Sequence, residues 1–144
     1  MDILEYKLCD VQGRLFELFC DTEYDPKSLV KAFMNSNIAR GLDSLYNRYQ
    51  WAGEEYLLEE LIDTCNDKLI VKKKDYSKDV MHWIGYVYRY WHYYLDAKSK
   101  DIYKIASFDT MNTNYLMFHT MAVELAIDDL IEIYNQRKQE KGAK

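Results

Sequence analysis

The chain has 144 residues, long enough to bury a sizeable core, and 49% of them are hydrophobic, which excludes a disordered polymer. One proline and five glycines are too few for the closely spaced turns of a many-stranded β fold. A net charge of -5 argues against sequence-independent binding to duplex DNA, which depends on neutralising phosphates, and suits a basic protein partner.

Residues 2–20 read as a first helix, with Ile3/Leu4, Leu8, Val11, Leu15, Leu18 and Phe19 at helical spacing and Gly13 in the middle. Asp25-Pro26 is a helix start, Asp in the cap and Pro at the first helical position, and Leu29, Val30, Phe33 and Met34 follow as its inner face. Residues 38–49 predict a third helix with Ile38, Leu42, Leu45 and Tyr46 apolar. Glu54 to Cys65 is a fourth, turning Leu57/Leu58, Leu61/Ile62 and Cys65 inward and Glu54, Glu55, Glu59 and Asp63 outward. Leu69-Ile70-Val71 is the one strand-like run, too short for a sheet of its own, and Lys72, Lys73 and Lys74 follow it as the one basic run.

Ser77 to Asp96, SKDVMHWIGYVYRYWHYYLD, is the stretch around which the rest is organised. Ser77 is suited to cap it, and Val80, Ile84, Val87, Trp91 and Tyr94/Leu95 form an apolar stripe that Trp83 and Tyr90 widen on one side and Tyr88 on the other. His82, Gly85, Arg89, His92, Tyr93 and Asp96 project from the other side. A mid-helix glycine costs about 0.8–1.0 kcal/mol relative to alanine, so Gly85 implies close approach by another backbone or a ligand. Arg89, His92 and Tyr93 lie within one turn of each other. They can hold a phosphate or carboxylate ligand, or Arg89 can pair with a carboxylate on another helix.

Ser99 is suited to cap a short helix carrying Ile102, Tyr103 and Ile105, and another begins near Phe108 or Asp109 and carries Met111, Tyr115, Leu116 and Phe118. Thr120 caps a last helix with Val123, Ile127, Leu130, Ile131 and Tyr134 inward, and residues 136–144 read as a frayed end. The expected fold is all-α, one domain over residues 1–144, a bundle of about six or seven helices joined by short connections.

Cys9, Cys20 and Cys65 are odd in number and lack CxxC spacing, which predicts reduced thiols and the cytoplasm. The N-terminus MDILEYKLCD is charged from its second residue, so no secretory leader is expected, and no apolar run approaches the ~18 residues of a membrane span. His82, His92 and His119 fall in no metal-binding spacing, so no metal and no cofactor are expected. Fourteen tyrosines suggest a binding surface, or a tyrosine-rich margin to the core.

Arg89-Tyr90-Trp91-His92-Tyr93-Tyr94 resembles the arginine-to-histidine motif of HEPN-type RNases, with a shorter Arg–His spacing than that family uses. The resemblance implies a helical RNase working at a homodimer interface on RNA, with Arg89 on the phosphate and His92 and Tyr94 beside it. Over most of the chain, QWAGEEYLLEE, WIGYVYRYWHYY and MFHTM…AIDDLIE resemble small bacterial proteins that accompany toxin genes as antitoxins. That resemblance implies a cytosolic, non-enzymatic protein-binding module that neutralises a toxin. Tyr86, Arg89, His92 and Tyr93 would contact the partner, and Glu54, Glu55 and Glu59 would steer it.

Overall fold

The computed structural model, which describes residues 1–142, shows eight α-helices among them, some of them begun by local capping side chains. They are α1 Ile3–Phe19, α2 Pro26–Met34, α3 Asn37–Leu42, α4 Glu54–Cys65, α5 Lys78–Leu95, α6 Ser99–Ile105, α7 Phe108–Phe118 and α8 Val123–Gly142. Short 3₁₀ turns lie at Arg48–Trp51 and Asn66–Lys68. Asp2 and Glu5 satisfy each other's backbone amides in a capping box before α1. Ser36 caps α3 and Ser77 caps α5 through the amides of Ala39 and Asp79. The all-α class is as expected. The eight helices among the described residues slightly exceed the expected six or seven.

Four further expectations are corrected. The third helix does not run from 38 to 49: it ends at Leu42, and the chain turns before the 3₁₀ turn at Arg48. Leu69-Ile70-Val71 makes one isolated bridge, Val71 with Tyr24, instead of a strand. The amide of Asp25 donates to the carbonyl of Ile70 at 2.8 Å and that of Lys72 to Glu23 at 3.0 Å, which ties this linker to the start of α2. Residues 136–142 are helical, as the end of α8, where Arg137 donates to Thr110 and Lys138 lies over the Tyr134 ring. Residues 143 and 144 lie outside the described part. Finally, two cap positions shift: α8 begins at Val123 and not directly after Thr120, and Ser99 is the first residue of α6 with Lys98 at its cap.

The core surrounds α5. Met81, Ile84, Gly85 and residues 87–91 are all buried, so the helix is covered on nearly every side over its middle turns. A single apolar stripe therefore describes it poorly. Helix α1 supplies the second face, running antiparallel so that Glu17 meets His82, Gln12 meets Gly85 and Tyr6 meets Tyr90. Gly85 makes this possible: a Cβ there would sit 2.5 Å from the carbonyl oxygen of Gln12 and 2.9 Å from Phe16. The expected close approach is thus to another backbone. Leu15, Phe16, Phe19, Leu29, Phe33, Leu57, Leu61, Trp91, Phe108 and Ile127 join one continuous cluster across six of the helices. Most tyrosines serve its margin: Tyr86 stacks on Tyr90, and Tyr88 packs against Tyr103 while donating to the Ala106 carbonyl at 2.6 Å.

Candidate functional site

Arg89 leaves α5 toward the ends of α3 and α6, where its guanidinium finds three partners. Nε donates to Gln12 Oε1 at 2.8 Å, Nη1 to Asp43 Oδ1 at 2.7 Å and Nη2 to the Ser99 hydroxyl at 3.3 Å. Asp43, just past the end of α3, also accepts from the Ser99 amide at 2.8 Å and the Ser99 hydroxyl at 2.7 Å. One carboxylate thus ties the end of α3, the middle of α5 and the start of α6. Gln12 closes the group from α1 by donating to the Gly85 carbonyl at 3.0 Å. The Arg89 side chain is 0% exposed and every one of its nitrogens is engaged. Taking a guanidinium out of water is costly, and the close carboxylate and two further acceptors repay that cost.

Of the two readings of Arg89, facing a partner or phosphate and pairing with a carboxylate on another helix, the geometry matches the second: it lies inside the molecule, paired with Asp43 at the end of α3. His92 sits one turn on at the surface edge of the same group. Its Nδ1 lies 2.6 Å from the Ala97 carbonyl, which can only accept, so Nδ1 carries the proton. Tyr94 turns toward α8 and donates to Asp128 at 3.2 Å. Arg89 and His92 thus meet at Asp43, whose Oδ1 lies 2.7 Å from Arg89 Nη1 and 3.7 Å from His92 Nδ1, while Tyr94 is engaged elsewhere.

What the network builds is the floor between two grooves. Asp43, Ser44, His92 and Asp96 line both. The first groove, about 610 Å³, opens between α2–α3 and the α5–α6 turn, with Arg40, Lys98 and Lys100 on its walls. The second, about 530 Å³, opens between the start of α1, the segment 44–51 and the end of α5. Its charged lining among the described residues is Asp2, Glu5, Asp43 and Asp96, all acidic. Tyr93 forms part of its wall; burial pushes its phenol up to about 12, partly opposed by the Arg89 charge.

The rim of the second groove is apolar. Leu45 is 84% exposed, Tyr46 90% and Trp51 71%. Leu45 and Tyr46, expected as apolar residues of the third helix, stand instead on the surface beyond its end. Asp43 is drawn to Arg89 and Ser99, the helix stops there, and Tyr46 adopts a left-handed backbone with φ 58°. Such a conformation costs an L-residue roughly 1–2 kcal/mol. Gln50 donates to the Ser44 carbonyl, and Asn47 caps the 3₁₀ turn through the amide of Tyr49 at 3.0 Å, so the loop is braced in this shape.

The other partner-facing residues scatter. Tyr86 lines a separate hollow with Glu17, Asp79, His82, Trp83 and Tyr115. Glu54 is partly covered and lies 3.7 Å from Arg14, while Glu55 and Glu59 are exposed on α4, which begins just after Trp51. His92 and Tyr93 alone of that set meet at one groove, with ring centroids 4.9 Å apart. Sequence reasoning missed Gln12, Asp43 and Ser99 as partners of Arg89, and Leu45, Tyr46 and Trp51 as surface. Asp43 and Ser44, whose side chains favour caps and turns over a helix interior, are the signal that the third helix ends early.

Cys9, Cys20 and Cys65 are unpaired, and burial pushes the Cys9 thiol up to about 12, which keeps it protonated and unreactive. Among the described residues no group of three or more His, Cys, Asp or Glu side chains is placed to hold a metal ion, and no helix is long and apolar enough to cross a membrane. No known family model matches this chain, and no curated protein or solved structure is significantly similar to it.

Proposed function

We propose that this chain is a cytosolic protein-binding module, an antitoxin-like neutraliser, and that it takes a basic, partly apolar segment of its protein partner into the groove rimmed by Leu45, Tyr46 and Trp51. The observation that carries this reading is the exposure of those three large apolar side chains around a groove lined by the carboxylates of Asp2, Glu5, Asp43 and Asp96, of which Asp43 is already paired with Arg89. Soluble chains seldom leave large apolar side chains clustered at a braced loop without use, and Trp and Tyr are the residues that most often dominate binding energy when a partner covers them. The acidic lining selects a cationic segment and repels an anionic one, and Glu55 and Glu59 extend that field along α4. Three unpaired cysteines suit a reducing compartment. In this reading Arg89 acts from behind, holding Asp43 at the groove floor.

The test is quantitative capture of partner from native-host extract by three baits: the wild type, Tyr46→Ser/Trp51→Ser, and Leu116→Ser/Met117→Ser as a control on a different exposed apolar site, where Leu116 is 82% and Met117 70% exposed. A single basic protein in stoichiometric amount, released by salt, lost with the groove bait and kept by the control, is the expected result. Equal capture by all three, or RNA in place of protein, would rule the reading out.

A further inference from the structure

We propose that a second, separate site, the cavity walled by Lys104 of α6 and by Arg137, Lys138 and Lys141 of α8, binds the phosphoryl group of a small anionic ligand. The cavity has a volume of about 200 Å³, and Ile105, Ser107, Thr110 and Tyr134 complete its lining. Four cations thus share one small space in a chain whose net charge is -5. Among the described residues no carboxylate lines it. Four like charges held together repel one another, and a bound anion relieves that repulsion.

Hydroxyl chemistry fits the same ligand. Thr110 is 7% exposed and accepts from Arg137 Nη1 at 3.2 Å, while its own proton goes to no acceptor among the described residues. Ser107 precedes α7 and its hydroxyl caps no amide, so both groups can donate to an oxyanion. The first turn of α7 opens beside them and adds favourable dipole, but the cations and the cavity carry the site. Lys138 rests over the Tyr134 ring at 5.4 Å and Lys104 lies 4.0 Å from the exposed Asp101, so two of the cations are loosely held and can turn to a ligand. A guanidinium flanked by ammonium groups and hydroxyls is the donor set of a phosphate site. The volume suits one or two phosphoryl groups and leaves no room for a base and sugar, which would project into solvent.

Amide chemical shifts of the isotope-labelled full chain would be followed on titration with pyrophosphate and, separately, with ADP, at constant ionic strength in chloride. Saturable shifts centred on residues 104–110 and 134–141 are expected with both. Equal affinities would identify inorganic phosphate as a sufficient source, and tighter ADP binding a nucleotide. Lys138→Gln/Lys141→Gln, which removes exposed charges and leaves the Arg137–Thr110 bond in place, should weaken binding roughly tenfold or more, as the loss of charge-assisted bonds implies. Lys104→Gln on the opposite wall should act in the same direction. Shifts that stay linear in ligand, that spread over the whole surface, or that survive both variants would overturn the proposal.

Discussion

Two regions that meet at Asp43–Ser44 differ in kind. On one side, Gln12, Arg89, Asp43 and Ser99 form a buried polar group in which donor and acceptor are matched. On the other, Leu45, Tyr46 and Trp51 form an apolar loop that faces water. The charged residues behave as core and the apolar ones as surface. Chemical type alone therefore misassigns both, and the difference teaches that coverage decides. Arg89 is covered because α1, α3 and α6 converge on α5, while the 44–51 loop is exposed because Asp43 is held inward and the chain must turn out past it.

The comparison breaks hardest at Arg89. Arg89→Ala leaves Asp43, partly covered beside Ser99, without its counter-charge, so the variant should lose about 3 kcal/mol in denaturant unfolding, the low end for a broken buried pair. Replacing the pair with apolar residues, Arg89→Met with Asp43→Leu, should recover much of that loss, because no lone charge remains. Were Arg89→Ala within ~0.5 kcal/mol of the wild type, the network would not hold the fold, a value typical of surface positions.

A smaller effect separates two glycines on the α1–α5 contact. At Gly85 an added Cβ meets backbone, the Gln12 carbonyl at 2.5 Å, so the helices must part. Gly85→Ala should cost about 1–3 kcal/mol, since overpacking outweighs the helix propensity gained. At Gly13 the obstacle is the His82 ring at 2.7 Å, a partly exposed side chain that can swing away. Gly13→Ala should stay within about 1 kcal/mol of the wild type, because the propensity gain offsets the displaced ring. Equal costs at the two sites would mean that backbone approach is not what selects glycine at position 85.

The covered face also sets the alkaline limit. Cys9 and Tyr93 are raised to about 12 from ordinary values of 9.0 and 10.0, by burial first, and Tyr88 is raised well above 10.0 for the same reason. A raised folded value means the unfolded chain loses its protons first. The stabilisation is therefore complete below pH 9.0 and is lost as the pH climbs toward about 12. Phenolate absorbance and helical ellipticity should change together over that window. Phenols titrating freely near their ordinary value, with ellipticity intact, would contradict the burial of this face.

Much of the fold was legible because it is local. The Ser77 cap, the Asp25-Pro26 start, the stripes of α2 and α4 and the glycine that signals a close neighbour follow from residue type and spacing. The candidate site was legible only in fragments. His92 and Tyr93 do line a groove, but periodicity within α5 cannot say that α1 covers Gly85 and Arg89. Nor can the continuing apolar spacing of 38–49 reveal that Asp43 is claimed by Ser99, fifty-six positions away. Those are long-range pairings, and one chain without its partners in space does not display them.

The mildest substitution probes why the loop keeps its shape. Tyr46 occupies a left-handed conformation with its side chain 90% exposed, so it contributes little packing to set against a conformational cost of roughly 1–2 kcal/mol. Tyr46→Gly removes that cost and adds back about 0.4–1 kcal/mol of unfolded-state entropy, leaving a small net gain in stability. If the exposed ring serves binding, the same variant should capture less partner while melting slightly higher. That opposition is the signature of a residue retained for function against its own stability. A variant that melts higher and captures partner as before would place the contact on Trp51 and Leu45 instead, with Tyr46 a bystander at the rim.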